Sequence, residues 1–107
     1  MTFDLLIDQV YFWAKKRDLI KPENVSKQML KVVEELGELA AGITKNNEEA
    51  TIDGLGDTFV TLIILSHQLG YEPRECLKAA YDEIKSRSGT TVNGVFIKDE
   101  QQDVQPK

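Results

Sequence analysis

Residues 59–65 read Phe59-Val60-Thr61-Leu62-Ile63-Ile64-Leu65, a run that is apolar nearly all the way round a helix. A helix of this kind is typically buried on every side. A chain of 107 residues builds only a modest core and can hardly cover it alone. The run therefore predicts a homodimer, or a tetramer built from dimers, with this helix at its centre.

Helical spacing of apolar residues extends to both sides of this run. It predicts a first helix over about residues 2–16, a second from about Asn24 or Ser26 to about Thr44, and a fourth from Arg74 to about Arg87. Asn46 and Asn47 are turn and cap residues before the third helix, which should end near Gly70. The stripes expected to be buried are Val25, Met29, Val32, Val33, Leu36, Ala40 and Ile43 on the second helix, and Leu77, Ala80, Tyr81 and Ile84 on the fourth.

After Gly89, β-favouring residues replace the helical spacing of apolar residues. Asn93-Gly94 lies between β-favouring residues, which predicts a tight hairpin, and from Lys98 onward the chain is polar. We therefore expect an all-α fold, a four-helix bundle with a short C-terminal β-hairpin. Residues 1–98 should form a single domain and residues 99–107 a polar, disordered tail.

The composition excludes some classes of binding partner. The formal net charge of −5, with no Lys/Arg stripe, argues against nucleic acid. No apolar run approaches the roughly 20 residues that cross a bilayer, so no membrane partner is expected. The single cysteine, Cys76, cannot form an internal disulfide, which suits a reducing cytoplasm. It falls on a predicted helix with no histidine nearby in the sequence, so we expect a small buried residue and not a nucleophile. His67 is interpreted as structural.

Five carboxylates could carry chemistry. Glu34, Glu35 and Glu38 lie within one helical turn, and such a triplet is by itself usually a solvated face. Asp53 and Asp57 lie one turn apart at the start of the third helix. A carboxylate entering a packed helical interface needs a neutralising partner, and acids from two adjacent helices would form an all-oxygen cluster that suits Mg²⁺ or Mn²⁺. For Asp53, a helix-terminal charge is an equally good interpretation.

These segments resemble a family. Glu34-Glu35-Leu36-Gly37-Glu38 is similar to the EExxE motif of the all-α nucleotide pyrophosphohydrolases, and the start of the third helix is similar to their ExxD motif. The run Ile52-Asp53-Gly54-Leu55-Gly56-Asp57 and the ending from Lys85 to Phe96 look like short MazG-like proteins of bacteria and phages. The resemblance covers about residues 5–98.

The resemblance implies a Mg²⁺-dependent enzyme that cleaves a nucleoside triphosphate to the monophosphate and pyrophosphate. Metal binding maps onto Glu35, Glu38 and Asp57, while the fourth ligand position is Gly54, which cannot ligate. Asp53 lies next to it and could reach the ion through different packing or a water. Replacing Gly54 by Glu should then restore a ligand without harming folding, unless Gly54 is needed for close packing.

Other roles follow from the same resemblance. Glu34 would orient the attacking water, and Lys85 and Arg87 would contact phosphates. Independently of the resemblance, the amphipathic ring of Trp13 could stack on a base, although a core or interface role is the commoner one for such a residue. Two rival functions remain: a non-catalytic helical interaction module that has lost a ligand, and an enzyme of the same fold acting on deoxyuridine triphosphate or a damaged nucleotide.

Overall fold

The computed structural model describes residues 1–99. This part of the chain contains four α-helices, α1 (Phe3–Lys16), α2 (Val25–Thr44), α3 (Glu48–Gln68) and α4 (Pro73–Ile84), followed by strands β1 (Gly89–Val92) and β2 (Val95–Lys98). The chain divides into two compact units, Met1–Pro73 and the segment from Arg74 on. The expected helical fold with a terminal hairpin is confirmed. No helix within residues 1–99 is both long enough and apolar enough to cross a membrane.

Helices α2 and α3 form an antiparallel pair. A three-residue connection, residues 45–47, separates them. Gly42, near the end of α2, lies against Ala50 and Thr51 at the start of α3. The side chain of Gln28, near the start of α2, donates to the Thr61 carbonyl further along α3. The order of contacts thus runs in opposite directions along the two helices, as a short connection requires. Helix α1 packs against α3.

Local signals set the helix ends. The Asn47 side chain caps α3 by accepting from the Ala50 amide at 3.0 Å, and Asn46 has the positive φ of 54° that a tight connection uses. Thr2 caps α1 in the same way through the Leu5 amide. A 3₁₀ turn, Pro22–Asn24, precedes α2, and the Asn24 side chain does not cap that helix.

The connection between α1 and α2 is tied to the far end of α3. The Leu19 carbonyl accepts from the Asn24 side chain at 3.3 Å and from the Gln68 side chain at 2.8 Å. Gln68 is the last residue of α3 and only 5% exposed. Two side-chain amides thus fix the backbone of this connector.

Of the stripe predicted to be buried on α2, the structure buries Val32 alone. The residues turned toward α3 follow the spacing 28, 32, 35, 39 and 42, and Val32 and Gly42 are buried. Most of the predicted stripe is instead exposed in the single chain: Met29 45%, Val33 55%, Leu36 46% and Ile43 57%. The periodicity identified residues that share a face, but this chain does not cover that face.

The apolar run on α3 is only partly covered. Ile63 and Ile64 are buried, whereas Phe59 and Leu62 are about half exposed. Together with Ile7, Ala14 and Val32, these two isoleucines are the buried apolar residues of residues 1–99. The core is therefore as modest as the chain length implies.

The second unit consists of α4 and the hairpin. Helix α4 ends at Ile84, three residues before the predicted end, and its expected buried stripe is exposed, as is Cys76, which contradicts that assignment. Strands β1 and β2 pair antiparallel from Gly89↔Lys98 to Val92↔Val95. Asn93 and Gly94 both have positive φ, which confirms the two-residue turn. Strand β2 ends at Lys98, and residues 100–107, which make up most of the predicted tail, lie outside the described residues.

Candidate active site

A cavity of about 330 Å³ opens in the first unit, where α1, the following connector, α2 and α3 meet. This volume lies at the lower end of the range of about 300–1,000 Å³ for small-molecule sites. The cavity brings together three of the predicted site residues, Trp13, Glu35 and Asp57. Its lining is completed by Leu19, Gln28, Lys31, Val60, Thr61 and Ile64.

Glu35 differs from the other glutamates of the EExxE motif. It follows Gln28 by seven residues and Val32 by three, so it lies on the α2 face that is turned toward α3. Its side chain is half-buried, whereas Glu34 and Glu38 are exposed. The interpretation as a solvated face thus describes Glu34 and Glu38 well, but not Glu35.

The environment of Glu35 is unfavourable to its charge. Its Oε1 is buried and has no hydrogen-bond partner within residues 1–99. Burial raises the pKa of the Glu35 carboxyl, and the nearby carboxylates of Glu38, Asp57 and Glu34 raise it further. Lys31 opposes these effects. Glu35 is therefore a carboxylate for which a bound cation would supply the missing partner.

The two aspartates of α3 are placed differently. Both side chains are exposed, but Asp57 lines the cavity with Glu35, whereas Asp53 does not and is not among the carboxylates that act on Glu35. Asn47 provides the helix cap, and Asp53 lies six residues beyond it, outside the first turn where the helix dipole acts most strongly. The structure thus does not favour the interpretation of Asp53 as a helix-terminal charge.

Gly54 is a point of close helix packing. It is buried, and a Cβ at this position would lie 2.9 Å from the Leu39 Cα and 3.0 Å from the Leu39 Cβ on α2. The first of these distances is shorter than real Cβ atoms show. The exception stated for Gly54→Glu, that the glycine is needed for close packing, therefore applies, and this substitution should harm folding. The sequence could not show this, because the contact depends on how α2 and α3 are aligned.

The polar wall of the cavity is built by side chains that bond to α3. Gln28 Nε2 donates to the Thr61 carbonyl at 3.1 Å, and Thr61 Oγ1 donates to the Thr58 carbonyl at 2.9 Å. Sequence reasoning did not select Gln28 or Lys31 as site residues. The signal was present, because positions 28, 31 and 35 are seven and four residues apart and share a helix face.

Trp13 forms the boundary of the cavity on the α1 side. The residue is 48% exposed, and the Arg17 guanidinium lies 4.3 Å from the ring centroid. Trp13 also borders a second groove, with Gln9, Phe12, Lys16 and Arg17. The side chain is thus accessible at the surface of the single chain, where it could contact a ligand or a partner.

Lys85 and Arg87 belong to the second unit, and both pair with acids there. Lys85 Nζ lies 3.1 Å from Asp82 Oδ1, and Arg87 lies 3.5 Å from Glu83. Hydrogen bonds from Lys78 and Lys85 lower the pKa of the Asp82 carboxyl. Both ion pairs are therefore internal to the second unit.

The cavity suits a hard cation in its chemistry. Within residues 1–99 no three His, Cys, Asp or Glu side chains are gathered closely enough to hold a metal. Mg²⁺ commonly uses only one or two carboxylates and takes its other ligands from waters and substrate phosphates. Glu35, with its buried oxygen lacking a partner, and Asp57 on the facing helix are the two carboxylates that line this cavity.

Comparison with known proteins gives one relative. The chain is 40% identical over 63 residues to the uncharacterised 18.2 kDa protein of the rep-hol intergenic region of Haemophilus phage HP1, strain HP1c1. The match spans 59% of this chain and 39% of the phage protein, whose name gives no activity. No protein-family model matches the chain, and no solved structure matches it.

Proposed function

We propose that this chain is a Mg²⁺-dependent nucleoside triphosphate pyrophosphohydrolase of the MazG-like kind. The observation that carries the proposal is the half-buried Glu35, which has an oxygen without a partner and shares a cavity with Asp57. The resemblance of the two acidic motifs to EExxE and ExxD supports it, since these carboxylates occupy those motifs. A cytoplasmic location accords with a nucleotide substrate.

Glu35 and Asp57 would hold the ion, with Glu38 next to them and Asp53 reaching it through a water. A bound divalent ion neutralises phosphate oxygens and the leaving pyrophosphate. Glu34, which is exposed beside the cavity, would accept a proton from the attacking water. The water oxygen bonds to the α-phosphorus as the bond to the α/β bridging oxygen breaks, which yields the monophosphate and pyrophosphate.

The remaining residues would position the substrate. Trp13 is about half exposed and lines the cavity, so a base could stack on its ring. Lys85 and Arg87 stay candidates for phosphate contacts, because their ion pairs lie at the surface, where such pairs contribute at most about 1 kcal/mol and exchange readily for a phosphate. Which base or sugar is preferred depends on the pocket around these residues.

We further propose a homo-oligomer, a dimer or a tetramer built from dimers. Met29, Val33, Leu36 and Ile43 recur on α2 at intervals of four, three and seven residues and are about half exposed in the single chain. Such a stripe is typical of a helix–helix seam, and large exposed apolar patches are uncommon on monomers. Phe59 and Leu62 on α3 are exposed to a similar extent, and a second copy of the chain is the commonest partner for such surfaces.

A second candidate function is a non-catalytic helical interaction module. The observation that favours it is Gly54, since the position at which the resemblance calls for a carboxylate is a glycine pressed against Leu39. In this case the acidic motifs would be retained for solubility and packing alone.

The test that separates the two functions is a nucleotide screen on the full chain. Ribo- and deoxyribonucleoside triphosphates, including deoxyuridine triphosphate, are incubated with Mg²⁺, and monophosphate and pyrophosphate are measured separately. We expect equal amounts of both products from at least one substrate and loss of turnover in Glu35→Gln. Release of orthophosphate alone would contradict the proposed reaction, and absence of turnover on every substrate would favour the interaction module.

A further inference from the structure

We propose that Lys31 binds the phosphate chain of the substrate inside the cavity, a role that rests on the proposed nucleotide hydrolysis. Lys31 lines the cavity together with Glu35 and Asp57. Among the residues within 1–99 that line this cavity, Lys31 is the one with a basic side chain. A site that takes a cation and a phosphate chain together needs both charge signs within reach, and this cavity has both.

The position of Lys31 follows from helix geometry. It precedes Glu35 by four residues, so the two side chains emerge from the same face of α2, one turn apart. Glu35 lies on the α2 face turned toward α3, and Asp57 lies on α3, so the two carboxylates line the cavity from facing helices. The ammonium group of Lys31 lies one turn from Glu35 on the α2 wall of the cavity. A phosphate chain lying along this wall would meet the carboxylate-bound ion at one end and Lys31 at the other.

Lys31 is also free to exchange its partner. Its Nζ lies 4.0 Å from Glu34 Oε1, at the limit of an ion pair, and both side chains are 62% exposed. A long, exposed ion pair of this kind is worth little, so a phosphate can replace Glu34 at small cost. Release from Lys31 would also leave Glu34 free to accept a proton from the attacking water.

The other basic residues near this end of the unit are less well placed. Lys16 and Arg17 border the neighbouring groove, on which Trp13 also lies, and the Arg17 guanidinium is stacked on the Trp13 ring. Neither of them lines the cavity that holds Glu35 and Asp57. Lys31 is therefore the ammonium group that shares a cavity with the carboxylates.

Binding of tripolyphosphate to the full chain in the presence of Mg²⁺ tests this role. Trp13 is the single tryptophan of the chain and lines the same cavity, so its fluorescence reports binding, and isothermal titration calorimetry measures it independently. We expect Lys31→Gln to raise the Kd for tripolyphosphate about tenfold, as loss of a charge-assisted contact implies. Lys31→Arg should stay within about threefold of wild type, because the positive charge is kept.

Lys27→Gln is the matched control. Lys27 lies one turn before Lys31 on the same helix, is exposed and does not line the cavity, so this variant makes the same change in net charge. We expect it to change the Kd by less than about twofold, because an exposed charge outside the cavity is screened by salt. If Lys31→Gln and Lys27→Gln weaken binding equally, the effect is one of net charge and the role of Lys31 is refuted.

The hydrolysis assay distinguishes failure of this inference from failure of the proposed function. If wild type hydrolyses a nucleotide and Lys31→Gln binds tripolyphosphate as wild type does, only the assignment of Lys31 is wrong. If wild type neither hydrolyses a nucleotide nor binds tripolyphosphate, the proposed function fails and the role of Lys31 fails with it. In an active enzyme, Lys31→Gln should raise KM more than it lowers kcat, and circular dichroism should show unchanged helix content.

Discussion

The contact between Gly54 and Leu39 makes a stability prediction whose sign is opposite to that of helix propensity. An Ala Cβ at position 54 would lie 2.9 Å from the Leu39 Cα and 3.0 Å from its Cβ, so α2 and α3 must separate locally. Overpacking of this kind costs about 1–3 kcal/mol, and contact with backbone favours the upper half of that range. The gain from replacing Gly by Ala inside a helix is about 1 kcal/mol. Gly54→Ala should therefore lower the free energy of unfolding by about 1–2 kcal/mol.

Gly56→Ala and Gly37→Ala are the controls for this prediction. Both glycines lie inside helices, and nothing lies within 4 Å of a Cβ built at either position. These variants should gain up to about 1 kcal/mol from helix propensity alone. Thermal melting followed by circular dichroism is the assay, since 1 kcal/mol shifts Tm by about 4–8 °C in a domain of this size. A Gly54→Ala protein as stable as Gly56→Ala would refute the close contact between α2 and α3.

Three further predictions concern the cavity and the apolar stripe. Since the pKa of Glu35 is raised in the folded chain, the folded state binds more protons than the unfolded state as pH rises from the ordinary pKa to the raised one, and stability falls through that window. Without divalent ions, Glu35→Gln should thus melt at a higher temperature than wild type at neutral pH, and the two proteins should melt at similar temperatures at acidic pH. Mg²⁺ or Mn²⁺ should raise the Tm of wild type but not that of Glu35→Gln. Asp57→Asn should reduce metal-dependent hydrolysis more than Asp53→Asn, because Asp57 lines the cavity and Asp53 does not; equal losses would make Asp53 a ligand of equal weight. Light scattering at micromolar concentration should show a dimer or tetramer that Leu36→Glu dissociates, and a monomeric wild type would contradict the assembly.

Sequence reasoning succeeded where the signal is local. Asn47 caps α3 and Asn93-Gly94 turns the hairpin, because each depends on the backbone preferences of a few adjacent residues. The helices were found by their periodicity for the same reason. The end of α4 was placed three residues too late, since nothing in the polar stretch after Ile84 marks a stop clearly.

Burial was harder to predict because it depends on neighbours. The stripe centred on Leu36 is as periodic as a core face, yet α3 packs against the adjacent face, which carries Val32, Glu35 and Gly42. The small residues Gly42 and Gly54 allow that close approach, and their role is visible only once the two helices are aligned. The same displacement explains the site: Glu35, rather than Glu34 or Glu38, is turned inward toward Asp57.

The two hydrogen bonds to the Leu19 carbonyl bear on how the first unit opens. Gln68 joins the connector after α1 to the final turn of α3, across 49 residues of chain, and its side chain is almost fully buried. Helix α1 cannot leave without exposing this amide and breaking its bond, so fraying of the connector and of the end of α3 should be coupled. In native-state hydrogen exchange, amides of residues 14–19 and 65–68 should therefore exchange as one cooperative group, and ligand entering the cavity beside Leu19 should slow them together.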